Sequence, residues 1–301
     1  FFTEGTDLFN KGGLFYSRRI GGAPSTEPAI EANEEITNYP STVNLLNAIK
    51  ISGRTEKGLG IGFLNAVTEK TNATILNTDT GDTRKEVIEP LTNYNMFVLD
   101  QRFNQNSSVT FVNANTTRNG NFRDANVAAV LFDLNTKANT YNLYGDFKYS
   151  SINTIEDYNG FKTEIGFEKT SGQYRYGFSG KYLSENYDLN DLGINFYSNY
   201  HNVYGHASYR IVNPTKIFNT FRINEYINFE IDNTSKKLQT AAFGTEMKAR
   251  TLGNDTVELL LELTPAKTFD FYEPREYGKY VFLPEKVITI FNFTSNDNNP
   301  F

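Results

Sequence analysis

From Tyr141 to Tyr182 the chain alternates between large apolar and polar side chains. Tyr141, Leu143, Phe147 and Tyr149 are interleaved with Asn142, Asp146 and Lys148. Phe161, Ile165 and Phe167 alternate with Lys162, Glu164 and Glu168, and Tyr174, Tyr176, Phe178 and Tyr182 with Arg175, Ser179 and Lys181. A period of two puts the two sets on opposite faces of a strand. One face is aromatic and the other carries full charges. A sandwich hides its apolar faces between sheets, whereas a membrane barrel turns them to lipid and keeps charge in a wet lumen. The choice between these architectures governs any reading of function.

Composition excludes more than it selects. The 301 residues suffice for a large core in one or two domains. A formal net charge of −6 with 21% charged residues argues against a nucleic-acid partner. No apolar run approaches the ~18 residues of a spanning helix, which leaves barrels open, because their dyad pattern averages to a polar score. The chain has no cysteine, so disulfides, thiolate zinc sites and thiol nucleophiles are excluded. The 25 Phe and 19 Tyr can supply the aromatic girdles of a barrel, although the absence of Trp departs from that pattern. The chain opens at Phe1 with no signal peptide, as expected after processing or inside a longer protein.

Pattern rules predict about thirteen strands, near 43–53, 58–69, 92–104, 108–117, 124–135, 140–151, 160–169, 173–185, 202–213, 216–231, 237–252, 255–266 and 286–294. Tight turns such as Gln105-Asn106-Ser107, Thr170-Ser171-Gly172 and Pro214-Thr215 alternate with longer links such as 70–91 and 186–201. Sorting short and long links to opposite ends is the habit of outer-membrane barrels. The expected fold class is therefore all-β, an antiparallel up-and-down transmembrane β-barrel. Residues 43–301 form its barrel portion. Residues 1–42, rich in Gly, Pro, Glu and Asn, form an extracellular-side loop folded over or into the lumen.

Several motifs add a resemblance. Phe1-Phe2-Thr3-Glu4-Gly5-Thr6-Asp7-Leu8-Phe9 is followed by Gly13-Leu14-Phe15-Tyr16-Ser17-Arg18-Arg19-Ile20-Gly21. Ala48-Ile49-Lys50-Ile51-Ser52-Gly53-Arg54-Thr55 runs on to Ile61-Gly62-Phe63-Leu64-Asn65-Ala66-Val67-Thr68. Then come Glu89-Pro90-Leu91-Thr92-Asn93-Tyr94, Asn190-Asp191-Leu192-Gly193 and Phe269-Asp270-Phe271-Tyr272-Glu273-Pro274-Arg275. This series resembles a family of large Gram-negative outer-membrane barrels of unassigned function, which often carry an N-terminal family-9-like carbohydrate-binding module. The resemblance implies the central portion of a barrel, completed by strands outside this chain. It implies no catalytic residues.

Candidate contacts follow from the polar face and the N-terminal loop. Asp146, Lys148, Glu164, Glu168, Arg175, Lys181, His206, Arg210, Glu258 and Glu262 are expected to line the lumen. Arg18 and Arg19, next to Phe15 and Tyr16, either bind an acidic or sugar ligand or pin the loop to lumen carboxylates. His201 and His206 would lie ~17 Å apart on an extended segment, too far for one metal. Asp270, Glu273 and Glu276 cluster as paired glycosidase carboxylates would, but so do acids of a solvated loop. Phe301 reads as an arbitrary chain end, because Asn299-Pro300 cannot continue a strand.

No catalytic, cofactor or metal residue is expected. The expected function is a non-enzymatic outer-membrane barrel acting as a pore, an uptake component or a surface-assembly subunit linked to glycans. Its partners would be outer-membrane lipid, glycans, and other outer-membrane proteins or lipoproteins. Two other readings remain. One is a soluble all-β carbohydrate-binding or adhesin module, and the other an outer-membrane glycan hydrolase using loop carboxylates.

Overall fold

The computed structural model describes residues 7–276 and 278–296. In chain order the strands are β1 (Glu34–Asn38), β2 (Leu45–Arg54), β3 (Leu59–Thr68), β4 (Thr71–Asn77), β5 (Thr83–Glu89) and β6 (Thr92–Phe103). Next come β7 (Ser107–Arg118), β8 (Asp124–Asn135), β9 (Tyr141–Asn153), β10 (Tyr158–Lys169), β11 (Tyr174–Leu183) and β12 (Tyr200–Ile211). The last are β13 (Phe218–Asp232), β14 (Leu238–Thr251), β15 (Thr256–Thr264), β16 (Thr268–Asp270), β17 (Val281–Leu283) and β18 (Lys286–Thr294). Two single-turn 3-10 helices, Lys11–Gly13 and Ser17–Arg19, precede them. Phe301 and the first residues of the N-terminal motif lie outside the described residues.

The principal sheet has thirteen strands in the order β18-β15-β14-β13-β12-β11-β10-β9-β8-β7-β6-β3-β2. Its pairs are antiparallel, so hairpins join nearly all neighbours. Two insertions interrupt the meander. β4 and β5 leave after β3 and pair with β1 in a three-stranded sheet, and β16 and β17 form a ribbon between β15 and β18. The sequence read 70–91 as a link. In the structure it is the hairpin β4–β5, whose short strands carry too few large apolar residues for the alternation to stand out.

The sheet is not closed into a barrel. β2 and β18 are its two edges and do not pair with each other. This corrects the expected transmembrane barrel. The expected outer-membrane location and pore function rested on a barrel and are corrected with it, since the described strands form an open sheet with two unpaired edges. No helix among the described residues is long and apolar enough to cross a membrane, an observation silent about strands.

Register follows the period-two pattern. Asp146 lies opposite Glu164, which lies opposite Lys181, so these three share one face, here called inner. Phe147, Tyr149, Phe161, Phe167, Tyr176 and Phe178 lie on the outer face and are exposed. Their rings stack across strands, Phe161 on Tyr182 at 5.4 Å and Tyr141 on Phe167 at 5.8 Å.

The inner face is not polar throughout. On β3, β6, β7 and β8 it presents Leu64, Ala66, Met96, Val98, Val112, Ala114, Val127 and Ala129, all buried. The N-terminal segment covers this patch with Leu8, Phe9, Leu14 and Ile20, and the link after β11 adds Tyr187, Leu189 and Leu192. The core therefore lies between the inner face of the first half of the sheet and two irregular segments. Lys148 ties the first of these down by donating from Nζ to the Gly12 carbonyl at 2.6 Å.

Gly160 on β10 fixes the second. A Cβ there would sit 2.2 Å from the Tyr187 backbone nitrogen and 2.3 Å from the Asn186 carbonyl carbon. Main chain cannot rotate away as a side chain can. Gly160→Ala is expected to lift the 186–192 segment and cost about 1–3 kcal/mol. Thermal melting with amide exchange checks this, and unchanged protection at Tyr187 to Leu192 would refute it.

Candidate functional site

Two polar centres stand on the inner side. In the first, Arg118 at the end of β7 reaches between two acids. Its Nη1 is 2.8 Å from Asp191 and its Nε is 3.7 Å from Glu89, an ionic contact rather than a hydrogen bond. The Glu89 and Asp191 side chains are only 4% and 7% exposed, and among the described residues Arg118 is the cation paired with Glu89. Arg123 joins from the link before β8, with Nη2 2.8 Å from both Asp188 and Asp191. Burial opposes the Arg123 charge, but Asp191 and then Asp188 outweigh it and raise its pKa above the usual value. Burial also disfavours the Asp188 carboxylate, yet the Asn190 backbone and Arg123 hold its pKa below the usual range. A cleft of about 590 Å³ opens beside this network, with Arg18 and Arg19 on its rim. Every acid in the network is matched to an arginine, so the arrangement reads as a clamp holding the 188–191 turn to the sheet.

The second centre lies on the inner face of β10 to β14, a cleft of about 520 Å³. Tyr204, His206 and Tyr226 supply its rings, and Glu168, Arg175, Arg210, Arg222, Asn224 and Glu246 surround them. Two contacts hold Tyr226 in place. Its hydroxyl donates to Glu262 at 2.8 Å, and its ring lies over Gly244, where a Cβ would come within 2.0 Å of the ring. Burial and the nearby Glu262 carboxylate push the Tyr226 hydroxyl up to about 12. Tyr204 leaves 38% of its surface open to the cleft side. The site thus pairs fixed aromatic rings with planar polar groups on a rigid sheet.

The sequence-selected residues divide between these places. Glu168, Arg175, His206 and Arg210 line the second cleft. Glu262 supports it through Tyr226, and Glu258 is paired with Lys248 at 2.6 Å. Asp146, Lys148, Glu164 and Lys181 are instead joined with Lys162 in an ion ladder across β9, β10 and β11. Arg19 donates to the Gly193 carbonyl at 3.1 Å, and the Tyr16 backbone nitrogen to the Leu192 carbonyl at 2.7 Å. Both hold the N-terminal segment to the 188–193 turn. Asp270 accepts backbone bonds from Tyr272 and Glu273, and Glu276 pairs with Lys279, so the loop acids serve the turn itself.

A family model described as a domain of unknown function, DUF5916, matches residues 1–301. The chain belongs to this family. No curated protein and no solved structure matches it. The expected resemblance to outer-membrane barrels with a family-9-like module is corrected accordingly. The matched DUF5916 description carries no function, and the sheet of this member is open.

Sequence reasoning missed Arg118, Arg123 and the rings of this DUF5916 chain. Glu89 and Asp191 both stood in motifs quoted for the resemblance, and an acid in each was the available sign of a shared cation. Tyr204 and Tyr226 sit on the polar parity of their strands. An aromatic residue among charges on that parity was the signal for the second cleft.

Proposed function

We propose that this DUF5916 chain is a non-catalytic carbohydrate-binding module that grips a glycan on the inner face of β10 to β14. One observation carries the reading: Tyr204 and Tyr226 stand in one half-open cleft, ringed by planar polar side chains. Sugar rings offer apolar faces to aromatic side chains, while their hydroxyls donate to carboxylates and accept from amides and guanidinium groups. The Tyr226–Glu262 bond and the fit over Gly244 hold one ring ready before a ligand arrives, which lowers the cost of binding. The non-catalytic part of the proposal is supported by the state of the acids. Glu258 is spent on Lys248, and Glu262 on Tyr226 with Lys286 nearby. Neither is left available as one of the paired carboxylates that glycoside hydrolysis uses.

Titration against a panel of oligosaccharides tests this. Tyr226→Ala and Tyr204→Ala are each expected to weaken binding about tenfold, the loss of roughly one ring contact. Unaltered affinity in both variants would reject the site. New reducing ends after incubation with a bound glycan would reject the non-catalytic reading.

A further inference from the structure

Arg210 is the middle one of three arginines on neighbouring strands. On β12 it lies directly opposite Arg222 of β13. Arg175 of β11 lies opposite Ser208, the preceding inner-face position to Arg210 on β12. All three line the second cleft. Elsewhere on this face, Lys148 and Lys162 have Asp146 at 3.2 and 3.3 Å, and Lys181 has Glu164 at 3.8 Å. Among the described residues the three arginines have no such ion pair. Arg175 donates to the Gly172 carbonyl at 3.2 Å and Arg222 to Asn224 Oδ1 at 2.9 Å, both neutral acceptors. The Arg210 Nε is buried without a hydrogen-bond partner. Burial first, then repulsion by Arg175 and Arg222, brings the Arg210 pKa below its ordinary value.

Like charges set opposite each other on a sheet destabilise it. Glu168 and Glu246 line the same cleft but form no ion pair with the three arginines, so the fold places three like charges together without pairing them. A binding site gains from this, because guanidinium groups with open donors take an oxyanion by short, charge-assisted bonds. We propose that Arg175, Arg210 and Arg222 form a receptor for an oxyanion, the carboxylate or sulfate of an acidic sugar, at one end of the glycan cleft. This rests on the glycan-binding reading and names its ligand class. Arg222 precedes Tyr226 by four residues on one strand, a span of roughly 13 Å. A ligand reaching from the ring to the arginines is longer than one sugar, so the receptor favours oligosaccharides.

Calorimetric titration of the full chain with trigalacturonate, a sulfated trisaccharide of galactose and neutral galactotriose decides the matter. The acidic sugars are expected to bind at least tenfold more tightly than the neutral one, and to weaken with added salt. Arg210→Gln, and independently the exposed Arg222→Gln, should weaken the acidic sugars about 10- to 100-fold and the neutral sugar far less. Arg210→Gln should also keep or raise the melting temperature, since it relieves repulsion, whereas a structural arginine would lower it. Equal affinity for acidic and neutral sugars would overturn the receptor and leave the glycan reading standing. Binding of no sugar at all would overturn both. Preference for one acidic sugar over the other identifies carboxylate or sulfate as the group bound.

Discussion

Replacing Arg118 by methionine is expected to destabilise the protein by about 3–5 kcal/mol, the cost of breaking a buried ion pair by removing one partner. Glu89 and Asp191 would then face each other across the space the guanidinium left, both nearly shut off from water. Arg123 still holds Asp191 at 2.8 Å, so the uncompensated charge would fall mainly on Glu89. The neighbourhood of Glu89 also carries the backbone nitrogen of Ser25 at 2.8 Å, which ties the N-terminal segment to the same point. The loss should therefore appear as a lower urea midpoint together with faster amide exchange in that segment. Arg118→Met with Glu89→Gln should recover part of the loss, because the remaining groups are neutral or paired. A change below about 1 kcal/mol in the single variant would show that water reaches Glu89 and that the clamp is an ordinary surface pair.

Asp146→Asn is expected to cost about 3 kcal/mol near neutral pH, for a related reason. Asp146 bridges Lys148 and Lys162 at 3.2 and 3.3 Å, and the Lys148 side chain is only 9% exposed. From the sequence, Asp146 belonged to a wet wall where substitution is mild. The structure places it under the N-terminal segment, where Lys148 also reaches Gly12. Burial lowers the Lys148 pKa despite the attraction of Asp146. Without that attraction the folded protein sheds this proton at still lower pH, while the unfolded chain keeps it up to the ordinary lysine value. The unfolded state then binds more protons, so the stability of the variant rises with pH in that window. The raised pKa of Lys162, held up against burial by Asp146 and Glu164, works in the same direction. Its stabilising part in the native protein is present below the ordinary lysine value and fades as pH climbs through the folded value. The deficit of Asp146→Asn should thus shrink from pH 7 toward the ordinary lysine value through Lys148, and further above that value through Lys162. A deficit that grows over this range would contradict the ladder. Asp146→Asn combined with Lys148→Met should regain stability, as a double-mutant cycle would record.

The strands were legible because alternation is a local property. Whether Phe147 and Lys148 face opposite ways depends only on the backbone between them, and thirteen segments read in this way form the principal sheet. The faces were legible for the same reason: Glu168, Arg175, His206 and Arg210 share one face as their parity requires. What lies on top of a face was not. Leu64, Met96 and Val112 have the same parity as Asp100 and Thr110, and nothing local says that Phe9 and Leu14 cover them. Nor can spacing show that Arg118 meets Asp191, because their contact spans 73 positions and forms only after the link following β11 folds back.

The sequence by itself determined the thirteen strands of the principal sheet, their antiparallel pairing and the division into an aromatic and a charged face. The tertiary structure alone decided closure, the position of the core and the partner of each buried charge. Strand pairing between neighbours is set by hairpins of a few residues. Pairing between β2 and β18 would require the twist and stagger of every strand between them to accumulate to closure, a sum that no local pattern encodes.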